Sequence, residues 1–343
     1  MRKGSATLAC ALALTAGSMT ALAAQEASEA QSPPITLRIA ANVPASSPWD
    51  LGLKRLALEF DRISAGRVRL IFPSSARVGT EEDNLRRLRL GLDGAMLSSQ
   101  GLAELYPDSL ALSLPGYITD DEEFDAALAA VRPLIRAKLS DRYAVLAVSK
   151  GGWIRYFSNS PIVYPADLTG LRVSIEAGND RESRLLTSLG CRLVPGTIAD
   201  FILQSRTKGV DGICQSPIYI ATLWFELRKS ISYMSAFKVA PFVGAMVFNK
   251  ASWERVPPEL RPALEAAVQS IADEIGIEGA KLEAEAIASL DGIKVRDEPP
   301  DTAAKWAEAI AQRRAGLIAR MFSPDMLAAM DGALSRQGGR GKD

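Results

Sequence analysis

The sequence predicts an α/β protein of two halves, each built on a parallel sheet. Three observations predict it. Short β-prone runs alternate with stretches of helical period, the alternation begins a second time after residue 140, and one helical run toward the C-terminal end is longer than either half requires.

The first half opens with a β-prone run over 36–41, followed by the loop signals Pro44, Ser46, Ser47 and Pro48. Residues 49–64 carry Leu51, Leu53, Leu56, Ala57, Phe60 and Ile63 at helical spacing, and Gly66 ends that helix. Residues 68–72 are the next strand. Thr80 is the expected cap of a helix whose first turn holds Glu81, Glu82 and Asp83, acids that suit the positive end of the helix dipole; Gly91 closes it. The short apolar run 94–97 reads as a strand buried on both faces and ends in Ser98-Ser99-Gln100-Gly101.

A helical stretch over 122–139 leads into the second half. Residues 143–148 and 153–157 read as two strands, and 171–175, 192–194 and 210–213 as three more, with helices over 181–189 and 198–207 between them. Residues 242–248 form a returning strand. From Pro257-Pro258-Glu259 a helix runs toward Leu290 with only Gly276 and Gly279 to bend it, about 45 Å at 1.5 Å per residue; it either packs on one half or braces both. A late strand covers 293–295, residues 301–336 are helical with a break near Ser323-Pro324, and 338–343 form a disordered tail.

Composition sets the compartment and removes several chemistries. Arg2 and Lys3, the apolar stretch 6–22 and Ala21-Leu22-Ala23 have the form of an export signal, so residues 1–23 are expected to be removed. Forty basic and forty acidic residues cancel and are scattered, which excludes a nucleic-acid footprint. The chain contains no histidine, so Ser-His-Asp triads, Cys-His dyads and the common zinc sites are unavailable. Cys191 and Cys214 fall on different strand ends and are expected to be unpaired thiols. The run Asp120-Asp121-Glu122-Glu123 lacks the alternate spacing and turn glycine of a calcium loop and reads as a solvated helix start. No metal or cofactor is expected.

Seven fragments then occur in one order: Gly66-Arg67-Val68; Gly79 opening the helix that leads to Leu88-Arg89-Leu90-Gly91; Leu114-Pro115; Arg155-Tyr156-Phe157-Ser158-Asn159; Pro165-Ala166-Asp167-Leu168-Thr169-Gly170-Leu171-Arg172-Val173; Gly209-Val210-Asp211-Gly212; and Asn249-Lys250-Ala251-Ser252-Trp253. From about residue 36 to 290 the chain resembles the DctP-type solute-binding subunits of tripartite ATP-independent periplasmic (TRAP) transporters. The resemblance implies a two-lobed, periplasmic-binding-protein-like clamshell with a long helix spanning both lobes. Lobe I would comprise 34–152 plus 241–283, and lobe II 153–240 plus 284–337. It implies a periplasmic receptor, not an enzyme, that grips a small molecule in the cleft and hands it to the transporter's membrane subunits.

One departure bears on the ligand. The resemblance places a carboxylate-binding arginine on the strand after the Asp-Leu-x-Gly-Leu turn, where this chain has Ser174. A guanidinium makes two charge-assisted bonds to a carboxylate, whereas a serine hydroxyl offers one neutral donor. Arg172 shares the strand face of Ser174 but stands about 7 Å away, and Arg155 matches the family's other cleft arginine. The stretch 48–56 together with Gly79–Asp83 most resembles a divergent branch whose members work with a helical-repeat lipoprotein, so an apolar or weakly polar ligand stands beside an organic acid.

Further cleft candidates are Asn42, Trp49, Ser98, Ser99 and Gln100 in the first half, and Gln215 and Tyr219 in the second, most of them just beyond strand ends where open α/β sheets bind ligands. Glu176 directly follows the strand that lacks the arginine and would repel a carboxylate, or cap the next helix. Two other readings compete with the receptor. One is a glycosidase-like site using Glu81 and Glu176 across the cleft; the other is a periplasmic sensor or scaffold that binds a protein.

Overall fold

The computed structural model describes residues 33–43, 47–73, 81–175 and 180–338. The expected signal segment, the Thr80 cap, Glu176 and the tail beyond 338 lie outside them.

In chain order the elements are β1 (Ile35–Ala40), α1 (Pro48–Ile63), β2 (Val68–Ile71), α2 (Glu81–Arg89), β3 (Gly94–Leu97), α3 (Ser99–Leu105), a 3-10 segment (Pro107–Ser113) and α4 (Asp121–Leu139). Then follow β4 (Tyr143–Ser158), β5 (Arg172–Ile175), α5 (Asp180–Ser188), β6 (Arg192–Pro195), α6 (Ile198–Arg206), β7 (Gly212–Gln215), α7 (Pro217–Thr222), α8 (Trp224–Leu227), β8 (Tyr233–Met234) and β9 (Ala240–Asn249). The chain ends through α9 (Lys250–Trp253), α10 (Arg261–Ser289), β10 (Lys294–Val295), α11 (Thr302–Arg313), a π segment (Arg314–Ile318), α12 (Ala319–Met321) and α13 (Pro324–Gly338).

Local chemistry fixes the helix starts. Ser47 accepts from the Asp50 N–H with Pro48 in the first turn of α1, the Asp120 carboxylate accepts from Glu123 N–H at 2.8 Å to cap α4, and Thr197 with Asp200 forms a reciprocal capping box on α6.

The main path of the sheet runs β2-β1-β3-β9-β4-β7-β5-β6, with β8 and β10 at its side. β1, β2 and β3 are mutually parallel, β9 pairs antiparallel with β3 and β4, and β5, β6 and β7 form the second parallel group. Two lobes result, joined through β4 and β9. From Tyr143 to Ile154 β4 pairs with β9, which lies beside β3, while Arg155–Ser158 pairs with β7 and, at Phe157 and Ser158, with β8.

Two strand expectations are corrected. Residues 143–148 and 153–157 are one 16-residue strand, β4. The glycine pair between them does not end the ladder: the register with β9 shifts between Lys150 and Gly152, and Gly152 takes φ +113°, a left-handed value open to glycine. The strand expected at 210–213 starts later, at Gly212, because Asp211 is engaged by Arg172 and Asn159. The Ser99–Leu105 helix was not anticipated at all.

α10 settles the choice left open for the long helix. Its buried stripe is Leu264, Val268, Ile271, Ile275, Gly279 and Glu283. Ile271 and Ile275 pack in the core of the first lobe with Leu53, Phe60 and Met246, whereas Ile287 packs against the second-lobe core of Phe157, Phe201 and Trp224. At 29 residues it is about 43 Å long and reaches both. Its approach to α1 is close enough that a Cβ on Gly52 would collide with Ile275 Cδ1. The C-terminal helix α13 returns to lie on α4.

Candidate functional site

In the first lobe the candidate residues cluster at the carboxyl ends of β1 and β3. Asn42 follows β1 and is exposed; Gln100 is half-buried in the first turn of α3. Ser98 is the N-cap of α3: its oxygen accepts from the Gln100 and Gly101 N–H groups, while its own N–H and hydroxyl both donate to the Glu81 carboxylate at 2.6 Å. Ser99 turns inward and ties α3 to β9, donating to Val243 O and accepting from Val243 N–H. Glu81 and Ser99 therefore serve the backbone here, and Trp49 is buried between α1 and α10.

In the second lobe the register brings three candidates onto one sheet face. Arg155 on β4 is directly opposite Gln215 on β7, and Ile213, two residues before Gln215, is opposite Ser174 on β5. Paired residues project to the same side, so Arg155, Gln215 and Ser174 share that side. Ser174 is buried, Gln215 accepts from Ser216 N–H through its side-chain oxygen, and half-buried Tyr219 lies on α7, which packs against α10.

Arg155 and Arg172 on this face are both engaged. Arg172 grips Asp211 through Nε and Nη2, at 2.9 and 2.8 Å, and the Arg172 backbone N–H donates to the same carboxylate. Those donors hold the Asp211 carboxyl at about 2. Arg155 donates Nη1 to the carbonyls of Ser235 and Ala236, and its Nε lies 3.6 Å from the Glu283 carboxylate on α10.

Glu283 is the residue that sequence reasoning missed. It also accepts from the Trp153 backbone N–H at 2.9 Å. Burial pushes its carboxyl above the usual range, opposed by that N–H, by Arg155 and by Lys238. A signal was available: it occupies an apolar position of the α10 stripe, where an unpaired acid would be costly. Around it, Lys238 stands 4.5 Å over the Trp153 ring and donates to Asp121, which also accepts from Trp153 Nε1.

A cavity of about 40 Å³ opens beside this junction, lined by Trp49, Leu53, Met96, Gly244, Met246 and Ile275 among others. A Cβ on Gly244 would meet only Met96 Cε, at 4.0 Å. Gly244→Ala should therefore raise stability by about 0.5–1 kcal/mol, read as a higher Tm by calorimetry; a lower Tm would show the cavity is already at its working size.

Cys191 and Cys214 form no disulfide, and burial pushes the Cys191 thiol up to about 11. Among the described residues no group of three or more Cys, Asp or Glu could hold a metal ion, and no helix is long and apolar enough to cross a membrane.

Comparison with known proteins bears on this arrangement. Residues 39–319 match the family model for DctP, the bacterial extracellular solute-binding protein, family 7. Solved structures share the fold at low identity. A TRAP periplasmic solute-binding protein from Rhodobacter sphaeroides, in an apo open form, has TM-score 0.76 at 19% identity, covering 88% of this chain and 99% of that one. One from Ralstonia eutropha with bound (S)-2-acetolactate gives the same figures. A third, from Sulfurospirillum deleyianum with bound succinate, has TM-score 0.73 at 17% identity over 87% of this chain and 98% of that one. With more than half of its length matched by the family model, the chain belongs to family 7 of the bacterial extracellular solute-binding proteins.

Proposed function

We propose that this protein is the periplasmic receptor of a TRAP-type transporter, exported with loss of residues 1–23. It captures a small molecule between lobe I (34–152 plus 241–283) and lobe II (153–240 plus 284–337) and delivers it to the transporter's membrane subunits. The observation that carries the reading is a pair of lobes joined by β4 and β9 and spanned by α10, an architecture that can close over a solute and favour the bound form. The protein catalyses no reaction on its ligand. Relatives of the same fold hold (S)-2-acetolactate and succinate, which supports an organic acid. Ser174 in the arginine position, with Arg172 held by Asp211 and Arg155 by Glu283, supports a weakly polar or apolar ligand instead. Asn42, Gln100, Gln215 and Tyr219 are the proposed contacts, with Ser98, Ser99, Trp49, Ser174 and Arg155 behind them; Glu176 completes the set. A helical-repeat lipoprotein is the proposed further partner.

Native mass spectrometry of gently purified protein should reveal a retained small molecule. Calorimetry with (S)-2-acetolactate, succinate and a panel of lipids should then find a stabiliser worth about 2.7 kcal/mol at a hundredfold excess over Kd. Ser174→Arg should raise affinity for succinate at least tenfold relative to the unaltered protein. No retained molecule, no stabiliser and an unchanged scattering profile would instead favour a sensor or scaffold, whose protein partner a periplasmic pull-down would recover.

A further inference from the structure

The hinge carries a buried acid for which the two-lobed architecture alone has no use. In the lobe division proposed above, β4 passes from lobe I to lobe II after Gly152, just before its pairing changes from β9 to β7. There the ladder with β9 slips, and Gly152 adopts φ +113°. The brace helix reaches this spot with Glu283, only 6% exposed. One of its oxygens accepts from Trp153 N–H, directly after the hinge glycine, and lies 3.1 Å from where a Gly152 Cβ would be. The other oxygen faces Arg155, two residues further along the same strand and cross-strand from Gln215. A single carboxylate thus touches the hinge backbone and the guanidinium on the candidate ligand face.

We propose that Glu283 is the positioning residue of the hinge, a fixed post on the brace helix that sets the angle of β4 through Trp153 and holds Arg155 toward the face of Gln215 and Ser174. Three features support this beyond the contacts themselves. Gly151 and Gly152 leave the strand locally soft, so a restraint at this point governs the relative placement of the lobes. The contact of Arg155 Nε with Glu283 is 3.6 Å, longer than a hydrogen bond, so a small rotation of the strand can tighten or release it. Neutralising Glu283 removes the one carboxylate paired with Arg155 among the described residues, while Ser235 and Ala236 keep the guanidinium from collapsing elsewhere.

Among the described residues the charged groups that face Glu283 are Arg155 and Lys238, and Lys238 is shared with Asp121 of α4. Burial favours the protonated form of Glu283, so its loss of charge begins at a higher pH than for an ordinary glutamate. Asp121 titrates lower than usual, because Lys238, Trp153 and Lys150 outweigh its own burial, so the two groups separate along the pH axis.

The test needs no ligand. Spin labels at Leu58→Cys on α1 and Leu203→Cys on α6, both well exposed, report the lobe-to-lobe distance in a Cys214→Ser background, Cys191 being buried. At pH 8 the otherwise unaltered protein should give one narrow distribution, and Glu283→Gln should at least double its width while leaving Tm within a few degrees. Adding Arg155→Gln to Glu283→Gln should produce no further widening. On acidification the parent should widen toward the Glu283→Gln result, with Glu283→Gln itself insensitive to pH. Equal widths at pH 8, additive effects of the two substitutions, or the same pH response in both proteins would overturn the proposal. Should Glu283→Gln fail to fold, the parent alone decides: the Trp153 amide resonance and the distance width must titrate with one midpoint, and separate midpoints sink it. The role assigned to Glu283 rests on the receptor reading, but a negative result here leaves ligand capture standing.

Discussion

Valine at Gly152 should cost the fold about 3 kcal/mol or more, seen as a lower urea midpoint at unchanged slope. Two effects add. A β-branched residue at φ +113° carries strain of about 1–3 kcal/mol, and the new Cβ would lie 3.1 Å from Glu283 Oε2. To relieve that contact the carboxylate must withdraw from Trp153 N–H, leaving a buried donor unsatisfied at about 1–3 kcal/mol. Gly170 provides the control. It has φ +80° with nothing within 4 Å of a Cβ, so Gly170→Ala reports backbone strain alone. Gly152→Ala should exceed Gly170→Ala by at least 1 kcal/mol; equal costs would mean that Glu283 yields freely and does not anchor the strand.

That junction is also where the sequence was hardest to read. Alternation, helical period and cap residues located the strands and helices on either side, because each of those signals is local. Gly151-Gly152 has the local chemistry of a break. Pairing with β9, ninety residues away in the chain, carries the ladder across the glycines to Ile154, where β7 takes over, and so keeps residues 143–158 in a single strand. The Ser99–Leu105 helix failed to register for a similar reason: Ser98-Ser99-Gln100-Gly101 reads as a loop until Glu81 arrives from α2 to bond the cap. By contrast the brace was legible in outline: the helix was longer than one half requires, and the family resemblance favoured a helix spanning both lobes over one packed on a single half.

For the candidate site, the sequence supplied residue types and their strand ends but not their partners. Arg155 and Arg172 were readable as cations near the ligand face; their engagement by Glu283 and Asp211 depends on contacts spanning 128 and 39 positions. Those partners decide which guanidinium a ligand could recruit. Arg155 faces a carboxylate whose own burial opposes its charge, whereas Arg172 is clamped by an acid that stays ionised far into the acid range.

The second large effect follows from that clamp. Asp211→Asn should lower stability at pH 7 by about 1–2 kcal/mol, and the difference should vanish near pH 2. Asp211 ties β5 to the start of β7 by accepting from Arg172 through backbone and side chain and from Asn159. Its carboxyl titrates at about 2 when folded against 3.8 as the reference. A depressed folded value means that the ionised form stabilises the fold. The contribution is therefore complete above the reference value and disappears as pH falls through about 2. Taken at face value, the shift corresponds to about 2.4 kcal/mol at 1.36 kcal/mol per pH unit. Solvent lowers that figure, since the Arg172 side chain is 39% exposed and Asp211 17%. Urea unfolding at pH 7, 4 and 2 gives the check. A gap between the two proteins that persists undiminished at pH 2 would assign the loss to packing at the β5–β7 junction and not to the charge.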